Sequence, residues 1–291
     1  MARAMQQIKQ DLATIEEKVA NLAVELRALY GRYLKLLGHS ARKQLILASY
    51  QICTQVYPES FLKLSGSDRQ KLQENLRRLG KNLQFQLLAL LDLPIHSSDP
   101  SDVATLEAEE LLLPPSEEAS SPAETEIQAQ EPESEKIANP EDLIRWCQQI
   151  EQGIQETLET LSQEVNFYLQ EAQILPAQVP VKVLEMAMQT EASAASASGS
   201  PNLLSLLIET EREGERESPA PKENAKITKL TAIHLRLAEI EFSDPTLNIE
   251  RDRVRTWLEK LKKIRQQYRQ LQREYAIAEA EAAWRATWYE D

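Results

Sequence analysis

About forty residues at the end of the chain carry one hydrophobic repeat, which runs from about Ile249 to Tyr289. Its first register contains Val254, Leu261, Tyr268, Tyr275 and Ala282. Its second register contains Trp257, Ile264, Leu271, Ala278 and Arg285, the last being the one position that is neither apolar nor small. A hydrophobic period of 3.5 residues is typical of a left-handed coiled coil, because it keeps one seam facing a partner helix. The sequence therefore predicts a long C-terminal helix that pairs with another helix.

A second repeat of the same kind occupies residues 4 to 37. Its registers contain Met5, Leu12, Val19, Leu26 and Tyr33, and then Ile8, Ile15, Leu22, Leu29 and Leu36. A helix of this length spans on the order of 50 Å, so a facing helix must cover much of it. The two terminal helices can pair within one chain or between chains. The charges that flank the seams, Lys260 and Arg265 against Asp11, Glu16 and Glu25, permit antiparallel pairing.

Composition favours helices throughout, with only 7 glycines and 5% aromatic residues among many Leu, Ala, Glu and Gln. We predict an all-α chain of elongated helical bundle and coiled-coil modules joined by disordered acidic linkers. The predicted segments are an N-terminal helical bundle with a long heptad helix (1–93), a disordered acidic linker (94–139), central helices (140–190), a flexible linker with a short apolar helix (191–223), and a C-terminal helical hairpin with a long coiled-coil helix (224–291).

Local signals set the expected boundaries of the N-terminal helices. Gly38 is expected to end the first helix, and Ser40 to cap a second helix that is buried on nearly all sides and stops at Pro58. Ser67 and Gln70 form a candidate capping box for a third helix that ends near residue 93.

Further boundaries are expected in the second half of the chain. The run Asn139-Pro140-Glu141-Asp142 is a strong helix start. A helix from Asn224 through Ile240, a turn at Ser243-Asp244-Pro245, and Asn248 as a cap of the last helix complete the expected order.

Two short apolar stretches lie in polar surroundings and are candidate docking peptides. The first is Leu111, Leu112 and Leu113, between acids and prolines, and a stray apolar turn in a linker explains it equally simply. The second contains Leu203, Leu206 and Leu207, and it is expected to dock either on this chain or on a partner.

The charge distribution bears on the partner. The net charge of −13 disfavours nonspecific nucleic-acid binding. From Arg251 to Arg273, however, nine Lys or Arg residues face only two acids, which is a pattern that could bind phosphates. Trp257 and Tyr268 within this run fall on the seam, so we expect them to pack against a helix and not to stack on bases.

The chain ends on an aromatic cluster of Trp284, Trp288 and Tyr289. Trp284 and Trp288 are four residues apart and share one helix face. Indoles in a charged terminal helix are typical of interface anchors, and they could also cap the chain's own bundle. The sequence leaves both interpretations open.

No pattern of catalysis or of cofactor binding occurs. His39, His96 and His234 have no ligand neighbours at metal-site spacing, and no phosphate loop, nucleophile elbow or dinucleotide fingerprint is found. We therefore expect no enzyme, no metal and no cofactor. Cys53 and Cys147 are expected to be buried thiols, which favours a cytoplasmic protein. No apolar run is long enough to span a membrane, and peripheral association with a membrane complex stays open.

Two stretches of the chain carry a resemblance to a known family. The first is the run Ile233-His234-Leu235-Arg236-Leu237-Ala238-Glu239-Ile240-Glu241-Phe242-Ser243-Asp244-Pro245, and the second is the ending Ala278-Glu279-Ala280-Glu281-Ala282-Ala283-Trp284-Arg285. Together they resemble an uncharacterised helical protein family of cyanobacteria. The resemblance covers the last quarter of the chain. It implies a cytoplasmic or thylakoid-peripheral setting, and it adds no functional residue.

The sequence thus predicts a non-enzymatic scaffold or assembly adaptor that acts through coiled-coil and helix-in-groove contacts with other proteins, including a second copy of itself. The predicted contact residues are Leu12, Leu22, Leu26, Leu29, Val254, Trp257, Leu261, Ile264, Tyr268, Leu271, Trp284, Trp288 and Tyr289. The alternative is a nucleic-acid-associated regulatory protein that uses the basic part of the C-terminal helix.

Overall fold

The structure is a computed structural model that describes residues 5–93, 137, 139–176, 201–210 and 226–288, with the backbone alone for residues 206–210 and 226–229. Most of these residues are helical, so the predicted all-α class is confirmed for the described part of the chain. The departure from that class is a two-stranded antiparallel sheet.

The described residues form six α-helices and two strands. These are α1 (Met5–Gln51), α2 (Pro58–Lys63), α3 (Gly66–Ala89), α4 (Pro140–Glu171), β1 (Leu203–Thr210), β2 (Lys226–Ile233), α5 (Leu237–Ser243) and α6 (Pro245–Thr287). A π-helical turn (Ile52–Val56) follows α1, and a 3-10 turn (Leu90–Asp92) follows α3.

The chain divides into two compact units. The first unit contains Met1–Leu26, Leu93–Gln148 and Trp257–Asp291, and the second contains Arg27–Asp92 and Gln149–Thr256. The first unit takes its core from one end each of α1, α4 and α6. Its buried apolar side chains include Ile8, Ile15, Val19, Leu22, Leu26, Leu143, Trp146, Cys147, Leu261 and Tyr268.

The second unit is larger and contains the small sheet. Apolar side chains spaced three and four residues apart give each helix one buried face. The buried side chains include Tyr33, Leu37, Leu45 and Ile52 on and after α1, Leu83 and Leu87 on α3, Ile154, Leu158 and Val165 on α4, and Leu204, Ala232, Ile240 and Leu247.

Gly38 does not end the first helix, so that prediction is wrong. α1 continues to Gln51, and a Cβ atom at Gly38 would lie 3.1 Å from the Cα of Gln84 on α3. The glycine therefore permits close approach of two helices, where the sequence suggested a helix end. Ser40, the expected cap, lies inside α1 and donates a hydrogen bond to the carboxylate of Asp244.

Changing Gly38 to alanine is expected to destabilise the protein by about 1–3 kcal/mol, because the added methyl group meets backbone that cannot move aside cheaply. Alanine is the better helix former by about 1 kcal/mol. If Gly38 had no packing role, the same substitution would therefore stabilise the protein. Urea unfolding measures the effect. Gly66→Ala is the control, since no atom lies within 4 Å of a Cβ built at Gly66.

The next boundaries also differ from expectation. Ile46 and Leu47, expected inside a helix buried on nearly all sides, are 48% and 47% exposed, because α1 buries only one face here. Residues 58–63, which lie between the expected second and third helices, form the additional short helix α2. Ser65, not Ser67, caps α3, and its side chain accepts a hydrogen bond from the backbone N–H of Asp68.

The helix start at Asn139 is confirmed. The Asn139 side chain accepts a 3.0 Å hydrogen bond from the backbone N–H of Glu141, and Pro140 is the first residue of α4. The same arrangement recurs at α6, where the Asp244 carboxylate accepts from the backbone N–H of Thr246 at 3.0 Å and Pro245 begins the helix. Asn248, the expected cap, therefore lies inside the helix.

Residues 203–210 and 226–233 are paired strands, so the short helix expected at the first segment and the helix expected from Asn224 are wrong there. A short apolar run with β-branched residues fits both the helical period of 3.6 and the strand period of 2. Pairing between the two segments decides that they form strands. The register aligns Leu204 with Ala232. The helical part expected near Ile240 is confirmed as α5. The linker expected at 94–139 lies outside the described residues, apart from 137 and 139. The part of the expected central helices that follows residue 176 lies outside them as well.

Candidate functional site

The two heptad seams contact each other within one chain in the first unit. The ammonium Nζ of Lys9 lies 5.4 Å from the centroid of the Tyr275 ring. The hydroxyl of Tyr268 donates a 3.2 Å hydrogen bond to Oε1 of Glu16. Lys9 and Glu16 are one heptad apart on α1, and their partners are one heptad apart in the reverse order on α6. The two helix segments are therefore antiparallel neighbours.

Most of the predicted seam residues are covered by their own chain. Six of them are buried, namely Leu22, Leu26, Leu29, Val254, Leu261 and Tyr268. Four are half-buried, namely Leu12, Trp257, Ile264 and Leu271. Burial raises the pKa of the Tyr268 hydroxyl, and the Glu16 carboxylate raises it further, so this phenol stays protonated and donates to Glu16.

The end of α6 extends past this helix pair. The register set by Lys9 and Tyr275 places Met5 opposite Glu279, and every residue from Glu279 to Trp288 is exposed. Trp284 and Trp288 are 65% and 62% exposed, and their ring centroids lie 5.4 Å apart at an interplanar angle of 30°. The third member of the predicted cluster, Tyr289, lies outside the described residues.

The exposed indoles belong to a longer apolar stripe. Ile277 is 52% exposed, and it precedes Trp284 by seven residues and Trp288 by eleven. These spacings put the three side chains on one face of α6. We name Ile277, Trp284 and Trp288 the aromatic stripe.

A shallow groove of about 350 Å³ lies beside the aromatic stripe, between α1 and α6 of the first unit. Its lining residues are Asp11, Thr14, Ile15 and Lys18 from α1, with Gln267, Gln270, Leu271 and Glu274 from α6. Ile277 follows Glu274 by three residues and Gln270 by seven, so the groove and the aromatic stripe share one face of α6. We name it the α1–α6 groove.

The basic run of α6 is largely engaged by the chain's own acids. Arg265 and Arg269 both contact the Glu141 carboxylate at 2.7 Å, in the first unit. In the second unit, Arg251, Arg253 and Arg255 form ion pairs with Glu151, Glu250 and Glu241 respectively. Lys260 lies 4.1 Å above the ring of Trp257. Five of the nine basic residues are thus paired with carboxylates, which lowers the positive potential that a phosphate would meet.

A buried charge cluster joins four helices of the second unit. Arg251 of α6 contacts Glu151 of α4 at 2.6 Å and Glu241 of α5 at 3.2 Å. Tyr33 of α1 donates a 2.6 Å hydrogen bond to Glu241, and Tyr30 donates a 2.9 Å hydrogen bond to Glu151. We name these five residues the Arg251 cluster.

The surroundings of Arg251 and Tyr33 keep the guanidinium charged and the phenol neutral. Burial lowers the pKa of Arg251, but the hydrogen bond and charge of Glu151, together with Tyr33 and Glu241, raise that pKa above its usual value. Burial raises the pKa of Tyr33, and its hydrogen bond to Glu241 raises it further. The cluster therefore holds one cation between two carboxylates, at 2.6 Å and 3.2 Å, within the second unit.

The sequence did not identify the Arg251 cluster as a unit. Glu151 and Glu241 sit in charge-rich helices where most carboxylates are solvated, and their convergence on Arg251 depends on contacts far apart in sequence. Asn166 was missed as well. Its signal was a polar side chain on the apolar stripe of α4, one turn after Ser162, with both residues fully buried.

The two leucine segments have different outcomes. Leu111, Leu112 and Leu113 lie outside the described residues. Leu203 and Leu204 are buried in their own chain at the start of β1. The side chains of Leu206 and Leu207 are outside the described part. Docking in cis is therefore supported for the first residues of the second segment.

Within the described residues, no group of three or more His, Cys, Asp or Glu side chains is placed to hold a metal ion. His96 is outside the described residues. The expected burial of both cysteines is confirmed, and they are free thiols. Burial raises the pKa of the Cys53 thiol to about 11, which keeps it unreactive near neutral pH.

Comparison with known proteins finds no matching family model, no matching curated protein and no matching solved structure. The resemblance to a cyanobacterial helical family stays a prediction. Among the described helices, none is both long and apolar enough to cross a bilayer.

Proposed function

We propose that this chain is a non-enzymatic scaffold or assembly adaptor that binds another protein through the exposed end of α6. The observation that carries the proposal is the stacked pair of Trp284 and Trp288, which are more than three-fifths exposed at the end of a charged helix. Tryptophan buries roughly 150–250 Å² when it is covered, and it dominates the energetics of protein interfaces. Two adjacent exposed indoles therefore favour a partner-binding role.

The pairing of the two heptad seams within one chain supports the same proposal. Leu26 and Leu261 are buried within their own chain, so the seams are engaged in cis pairing. Trp284 and Trp288 lie beyond that pairing, and the whole aromatic stripe is exposed to solvent. The proposal thus moves the partner contact from the seam, where the sequence suggested it, to the end of α6. Helix-in-groove binding of the stripe fits its spacing of four and seven residues.

The nucleic-acid alternative receives less support. Arg265 and Arg269 share Glu141, and Arg251 is held between two carboxylates, so these residues are not available to phosphates without losing their ion pairs. Tyr268 is buried, and Trp257 is half-buried with the ammonium of Lys260 above its ring. We also propose a cytoplasmic location, in keeping with two free thiols, since a reducing compartment preserves them.

A capture experiment tests the proposed function. The full chain and its Trp284→Ala/Trp288→Ala variant are immobilised and incubated with lysate of the source organism, and bound proteins are quantified by mass spectrometry. Loss of hot-spot side chains typically costs 2 kcal/mol or more, so the captured partner is expected to fall by at least about thirty-fold.

The matched control is Ile46→Ala/Leu47→Ala, which removes two exposed apolar side chains from α1 in the second unit. This variant is expected to capture the same proteins as the unchanged chain. Equal recovery by the indole variant and by the unchanged chain would rule out the end of α6 as the binding surface.

A further inference from the structure

We infer that one occupant of the aromatic stripe is a second copy of this chain, bound antiparallel so that the indoles of each copy fill the α1–α6 groove of the other. This inference rests on the proposed function and names a partner for the same surface. It requires that the inserting indoles and the receiving α1–α6 groove share one face of α6, and both are present within the first unit.

The geometry of α6 makes the surface self-complementary. The groove is lined by α6 residues between Gln267 and Glu274, and the indoles are at Trp284 and Trp288. The midpoint between these two features is near Ala278. A two-fold axis at Ala278 places each indole pair level with the groove of the other copy, as an isologous interface requires. Ile277 then lies beside the axis and meets its own symmetry mate.

The acceptor groove suits an indole. Its two apolar lining residues are Ile15, which is buried, and Leu271, which is half-buried. The rest of the lining is polar or charged, namely Thr14, Gln267, Gln270, Asp11, Lys18 and Glu274. The apolar side chains can contact a tryptophan ring, and the amide and carboxylate oxygens around them can accept a hydrogen bond from its N–H.

The buried area agrees with a weak dimer. Four indoles that are each about two-thirds exposed can bury on the order of 400–650 Å² in total, before Ile277 and the covered groove are added. Specific interfaces begin at about 1,200 Å². The expected interface is therefore at or below the lower end of the standard range, and dissociation in the micromolar range is expected.

Charge placement is compatible with this antiparallel arrangement. In the two-fold register, Arg285 of one copy falls within one helical turn of Glu274 of the other. Arg285 lies 3.0 Å from Glu281 on its own helix and is three-quarters exposed, so it can reach a second carboxylate without leaving a buried contact. Arg273 and Glu281 also lie on this face of α6. The register brings Glu281 of one copy level with Tyr275 of the other, so it lies within one helical turn of both Arg273 and Glu274 and meets one charge of each sign.

Sedimentation equilibrium of the purified full chain tests the inference. The mass of the unchanged protein is expected to rise from monomer to dimer between low micromolar and near-millimolar concentration. Trp284→Ala/Trp288→Ala is expected to weaken dimerisation by at least about thirty-fold. Thr14→Trp, which fills the groove and leaves the indoles intact, is expected to weaken it as well. Ile46→Ala/Leu47→Ala should dimerise like the unchanged chain.

Disulfide trapping tests the antiparallel register. Chains with Arg285→Cys or with Gln270→Cys keep both indoles and are expected to form few disulfide dimers alone, and a mixture of the two is expected to form mixed dimers. The native cysteines do not interfere, because both are buried. Efficient self-linking of Arg285→Cys chains would overturn the register.

The outcomes separate this inference from the proposed function. A chain that stays monomeric at every concentration overturns the inference. The adaptor proposal still stands in that case if the indole variant captures less of a protein from lysate than the unchanged chain does. A dimer that survives both the indole and the groove substitutions also overturns the inference, since it would then form through another surface.

Discussion

Replacing Arg251 by alanine is expected to lower the free energy of unfolding by roughly 3–5 kcal/mol. The reason is that Glu151 and Glu241 would keep their negative charges in a largely buried site with no cation between them. Arg251 and Glu241 have side chains that are only 14% and 10% exposed. Urea unfolding at neutral pH, followed by circular dichroism, measures this loss.

Arg253→Ala is the matched control, because this arginine lies two residues away and pairs with Glu250 through a side chain that is 57% exposed. Its loss should change stability by no more than about 1 kcal/mol. Arg251→Met combined with Glu241→Gln is expected to recover part of the loss, since the variant removes one stranded charge and Tyr33 can still donate to the amide oxygen. Equal stability of the Arg251 and Arg253 variants would show that the Arg251 cluster does not stabilise the fold.

Replacing Asn166 by alanine is expected to destabilise the second unit by roughly 2–5 kcal/mol. The Asn166 amide donates a 2.8 Å hydrogen bond to the carbonyl oxygen of Ile233, and its Oδ1 accepts a 2.9 Å hydrogen bond from the N–H of Ile233. Both Ile233 and Asn166 are buried, so the variant strands a donor and an acceptor away from water. Ser162, whose Oγ accepts from the N–H of Leu235, cannot replace either bond.

Hydrogen exchange gives this prediction a local readout. The amide of Ile233 is expected to exchange faster in the Asn166→Ala chain by more than the global loss of stability explains. Glu164→Ala, an exposed position on the same helix, should change neither exchange nor stability. Unchanged protection of the Ile233 amide would show that the two Asn166 hydrogen bonds do not hold the end of β2 against α4.

The sequence allows the long helices to be predicted because a heptad period repeats many times over them. It does not reveal the role of Gly38, because glycine is common both as a helix cap and where two helices approach closely. Only the contact with Gln84 distinguishes the two. The same reasoning applies to residues 203–210 and 226–233, whose apolar runs are too short for periodicity to separate a helix from a strand.

The candidate site could be predicted in part. Trp284 and Trp288 could be predicted as contact residues because indoles in a charged helix are typical of protein interfaces. The choice between pairing in cis and pairing between chains depends on side-chain contacts such as Lys9 with Tyr275, which no local pattern contains. The groove beside the aromatic stripe was missed for the same reason, since half of its walls come from α1.

The central claim is that the seams of α1 and α6 are satisfied within one chain, which leaves the end of α6 for a partner. Spin labels at positions 9 and 275 of the same chain test it directly through their dipolar interaction. A strong interaction that persists when the labelled chain is mixed and refolded with a large excess of unlabelled chain is the expected result. Loss of that interaction on dilution would show that the seams pair between chains, and the account would be wrong.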